Sequence, residues 1–105
     1  MTVAVWAGDS GNVIELDRLA GPRTGLIEPA HHLFPDLPDP VTLDLDVPRH
    51  KTRLYTACLL RGSPYDVYRY VNLTDLAVLL PTLELPAAIA EAWLDAIRRA
   101  GLVAA

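Results

Sequence analysis

The chain has little of what usually announces a function. It holds a single cysteine, Cys58, among 105 residues, so no internal disulfide can form and a reducing compartment is the expected setting. No stretch approaches the roughly 18 apolar residues of a membrane span. The opening residues, Met1-Thr-Val-Ala-Val-Trp6, lack the basic leader and long apolar run of a signal peptide, so a cytoplasmic protein is expected. Charge of one sign is also scarce: nine Lys and Arg against thirteen Asp and Glu give −4. That balance argues against a dedicated nucleic-acid binder, and it is too small for an acidic mimic of nucleic acid. Repeats and low-complexity tracts are missing.

What is present is apolar. A hydrophobic share of 51% with 21% charged residues places the chain among globular proteins. Its length suits one domain, residues 1–105, burying about two-thirds of its unfolded surface. Thr2 to Trp6 and Val13 to Leu16 read as strands around the turn Gly8-Asp-Ser-Gly-Asn12, an N-terminal hairpin. Residues 17–40 carry Gly21, Pro22, Gly25, Pro29, Pro35, Pro38 and Pro40, which forbid a long regular element. Leu19, Leu26, Ile27, Leu33, Phe34 and Leu37 are nonetheless apolar, so this segment reads as an irregular arm laid over a sheet, with a short helical turn near Ala30 to Leu33. Val41 to Val47 alternates apolar and polar residues as a strand would, with Asp44 and Asp46 on its wet side.

The organising stretch is Arg53 to Asn72. Its Tyr, Val, Thr and Leu suit a pleated surface, and Gly62-Ser-Pro64 supplies turn chemistry; the segment reads as a long hairpin. Neither of its faces is polar, so both need a cover. Beyond it, Thr74 reads as the cap of a helix from Asp75 to Leu80, stopped by Pro81. A second helix runs from Pro86 to about Ala100, with Ile89, Trp93 and Ile97 along one stripe. The expected fold is therefore α+β: an antiparallel sheet of about five strands, from two hairpins plus one strand. Two C-terminal helices pack on one face, and the Pro-rich arm lies elsewhere.

Chemical motifs are few. Gly8-Asp-Ser-Gly11 has the residue types found around the nucleophile of serine proteases and lipase-like esterases. A nucleophilic serine needs a base held by an orienting carboxylate, and no second motif supplies one, so the segment reads as a turn. His31 and His32 are adjacent, a spacing unlike the i, i+3 or i, i+4 pairs that hold zinc; no metal and no cofactor are expected. Asp44 and Asp46, about 6–7 Å apart along a strand, read as a solvated acidic face. Cys58 reads as a buried, unreactive thiol.

One surface calls for an explanation. Tyr55, Tyr68 and Tyr70 share one face of the expected hairpin, and tyrosine is enriched in interface cores. Arg53 and Arg69 lie beside them, with Arg49, His50, Lys51 and Arg61 near. Tyr55, Tyr68, Tyr70, Arg53 and Arg69 are the expected partner-binding residues of a small non-catalytic protein-interaction module. Such a module would self-associate as a homodimer, or regulate or inhibit another protein. The alternatives are a nucleic-acid binder that stacks bases on these rings and a small enzyme with its pocket between arm and sheet. In the structural alternative, Leu26, Leu33 and Phe34 of the arm cover the rings.

Overall fold

The computed structural model describes residues 4–7, 12–38 and 41–101. Strands β1 (Ala4–Ala7) and β2 (Asn12–Glu15) pair antiparallel, Ala4 opposite Glu15 and Ala7 opposite Asn12, as the N-terminal hairpin requires. The Gly8-Asp-Ser-Gly11 turn lies outside the described residues.

The expected central hairpin does not form, and with it goes the five-stranded sheet. Residues 48–70 are two helices, α1 (Pro48–Arg61) and α2 (Pro64–Tyr70). Among the described residues the β structure is the β1–β2 hairpin, a two-residue ladder pairing 26–27 with 43–44 and an isolated bridge between Ala20 and Asn72, against four α-helices. The physical reason lies in the punctuation. Pro48 occupies the first turn of α1, where its missing N–H is harmless. Gly62-Ser-Pro64 is a helix boundary rather than a hairpin turn. Gly62 ends α1, Ser63 caps α2, and Pro64 sits in its first turn. Asp66 closes a capping box: the Ser63 amide donates to Asp66 Oδ2 at 2.9 Å, and the Asp66 amide donates to Ser63 Oγ at 3.4 Å. These local signals outweigh the strand preference of Tyr, Val and Thr, which is context-dependent.

Helical winding also removes the puzzle of two apolar faces. On α1 the buried residues Leu54, Tyr55, Ala57 and Cys58 gather on one side; on α2 Asp66, Val67 and Tyr70 do. Spacing of i, i+3 and i+4 brings them together in a helix, whereas a strand would scatter them over both faces.

The arm is irregular as expected, but among the described residues there is no five-stranded sheet for it to lie on, and its turn at 31–33 packs against α1. A 3-10 turn spans His31–Leu33, and Leu33 and Phe34 are buried. Leu26, by contrast, is 72% exposed. Strand β3 (Leu26–Ile27) pairs antiparallel with β4 (Leu43–Asp44). The alternation from Val41 to Leu45 holds in burial: Val41, Leu43 and Leu45 point inward. The strand stops at Asp44 because its carboxylate accepts from the Asp46 amide at 2.9 Å, a local turn that ends the extended chain.

Helix α3 (Leu73–Leu79) is capped by Asn72, two residues before the expected Thr74, its side chain accepting from the Thr74 and Asp75 amides. Helix α4 (Ala87–Arg99) follows its predicted stripe and packs against β1; Trp93 and Ile97 are buried and Ile89 partly so. Burying Trp93 stabilises the fold by about 2–3 kcal/mol. One contiguous core joins Ile14 and Leu16 of the hairpin region, Leu33 of the arm, Leu54 of α1, Leu76 of α3 and Ile97 of α4. No helix among the described residues is long and apolar enough to cross a membrane.

Candidate functional site

The structure divides the expected partner-binding residues. Tyr55 is fully buried and Tyr70 nearly so; Tyr68 is half-buried. Each hydroxyl accepts a backbone N–H from a different segment: Tyr55 from Asn72 at 3.1 Å, Tyr68 from Glu15 at 2.9 Å and Tyr70 from Ala30 at 3.2 Å. The rings fill the interior while their polar tips satisfy amides that helices and strands leave open. Burial pushes the Tyr55 hydroxyl up to about 12, so it stays protonated at every physiological pH. The tyrosines therefore fasten the arm, the N-terminal hairpin and the start of α3 to α1 and α2.

The basic residues part company as well. Lys51 turns inward, its ammonium 3.0 Å from Asp75 Oδ2, and Arg23 reaches Asp75 Oδ1 at 3.0 Å. Burial pushes the Asp75 carboxyl up, but the bonds from Arg23 and Lys51 outweigh it and hold it below the ordinary range. His50 Nδ1 accepts from the Asp44 amide. Arg69 lies 5.2 Å over the Tyr70 ring, and Arg18 lies 4.5 Å over Tyr68. Arg49 and Arg53 stay in solvent. The cations thus do not form one patch, and two of the three rings that would stack bases are inside.

A second polar cluster went unread in the sequence. Asp66, 3% exposed, is the buried charged residue among those described. Its Oδ2 lies 2.7 Å from His32 Nε2, 2.9 Å from the Ser63 amide and 3.2 Å from Ser63 Oγ. Burial raises this carboxyl, and the bonds from His32 and Ser63 more than offset it, so Asp66 sits below the usual range. Serine, histidine and aspartate meet here with the carboxylate in the middle. The group that accepts from Ser63 Oγ is Asp66, a carboxylate held below its usual range and so a weak base, and no histidine bonds the hydroxyl among the described residues. The serine–base–carboxylate order of nucleophilic chemistry is therefore not formed; the cluster ties the arm to the start of α2. The signal for it, Ser-x-x-Asp after a glycine, was present in the sequence. Cys58 is buried, and desolvation followed by the nearby Asp66 charge pushes its thiol far up. Among the described residues no three His, Cys, Asp or Glu side chains gather as a metal site needs.

The outer face of α1 is exposed. With the segment 34–37 and the turn at 82–84 it lines a cleft of about 420 Å³. Thr52, Arg53, Thr56 and Leu60 recur at helical spacing along its floor. Leu37 is 37% exposed and Leu60 41% exposed, so the cleft presents apolar surface to water. The bounding segment is held in place: Arg61 donates to the Leu33 carbonyl at 3.2 Å, and the His32–Asp66 and Ala30–Tyr70 bonds pin the chain just before it. A smaller cleft of about 350 Å³ lies beside Lys51, Asp75 and Val78, where the charges already satisfy one another. Of the expected residues only Arg53 lines the larger cleft. Nothing in the sequence marks Leu37 and Leu60, because a strand places Leu60 on a sheet face and the apolar arm reads as a cover. Compared with known proteins, the chain matches no family model, and no curated protein or solved structure shows significant similarity to it.

Proposed function

We propose that this chain is a small non-catalytic protein-interaction module that docks a partner protein along the outer face of α1 and regulates it. The observation that carries this reading is the cleft with Leu37 and Leu60 exposed at its surface and charged residues around them. An apolar centre with a polar rim is the usual anatomy of a protein contact. The rigid footing of the cleft supports it too, because a preformed surface loses less entropy on docking. The other large exposed apolar side chains, Leu26, Tyr65 and Val78, lie outside this cleft and need no special explanation as isolated surface residues.

The test is capture from a lysate of the source organism on immobilised protein, wild type against Leu60→Ser. Partner retained by the wild type and lost by the variant supports the reading. Equal retention by both moves the site elsewhere on the molecule.

A further inference from the structure

We draw no further inference here: the strongest candidate, the cleft on the exposed side of α1 lined by Leu37, Arg53, Leu60 and Arg61, carries nothing because nothing in the structure shows what covers it.

Discussion

Helix α1 turns one face to the core and the other to the cleft, and the two use large side chains in opposite ways. On the inner face Leu54 and Tyr55 are fully buried, and the Tyr55 hydroxyl accepts the Asn72 amide. On the outer face Leu60 is 41% exposed beside Arg53 and Arg61. The inner face fixes where the arm and α3 lie. The outer face sets apolar Leu60 beside the charged side chains Arg53 and Arg61. Tyr55, Tyr68 and Tyr70 mark fastening, and Leu37 and Leu60 mark the candidate contact.

Breaking the inner face should have the largest consequence. Tyr55→Ala is expected to cost about 3–5 kcal/mol through the cavity it leaves, a large part of the 5–15 kcal/mol typical of a whole domain. Urea unfolding measures it, and a loss below about 1 kcal/mol would mean that Tyr55 is not core. Gly21→Ala probes the same fastening from the arm. Its added Cβ would lie 2.5 Å from the Tyr70 carbonyl carbon, where Gly21 donates to the Val71 carbonyl and Leu73 to the Leu19 carbonyl. Backbone cannot step aside as a side-chain tip can, so a loss of about 1–3 kcal/mol is expected.

Acid should loosen the inner fastening next. Asp66 and Asp75 are both held below their ordinary values in the fold. Their stabilisation is present above the unfolded carboxylate value, near 4, and is lost as the pH falls through the lowered folded values. Stability should therefore decline on acidification. Asp66→Ala should flatten that decline and cost about 1–2 kcal/mol at neutral pH through the lost cap, as urea unfolding at stepped pH would show. The smallest effect belongs to the outer face. Leu60→Ser should change stability by no more than about 0.5 kcal/mol. A larger loss in thermal or urea unfolding would make Leu60 part of the core and erase the contrast between the faces.

Legibility followed the range of the signals. The N-terminal hairpin, the helical turn at His31–Leu33, the inward alternation of Val41, Leu43 and Leu45, and the stripe on α4 all rest on neighbours a few residues apart. Those were read correctly. The central segment failed because Tyr, Val and Thr are good strand formers, while the stronger evidence was a capping box and two first-turn prolines. Its own warning sign was the pair of apolar faces, which a strand hides only under a cover on each side, whereas α1 gathers its buried residues on one face. Of the candidate site, Arg53 was legible; Leu37 and Leu60 were not, since no local rule tells an exposed leucine from a buried one.

By itself the sequence determined that the chain is apolar enough for one core, that its single thiol cannot form an internal disulfide, and where prolines and glycines must interrupt it. These are properties of composition and of single residues, set before any folding. Only the tertiary structure decided that Tyr55 and Tyr70 lie inward and Tyr68 half-buried, with their hydroxyls on amides 17 to 53 residues away. It alone decided that Lys51 pairs with Asp75 while Arg53 lies exposed with no ion pair among the described residues. Those outcomes depend on which segments meet, and burial is a relation between distant parts of the chain rather than a property of any one of them.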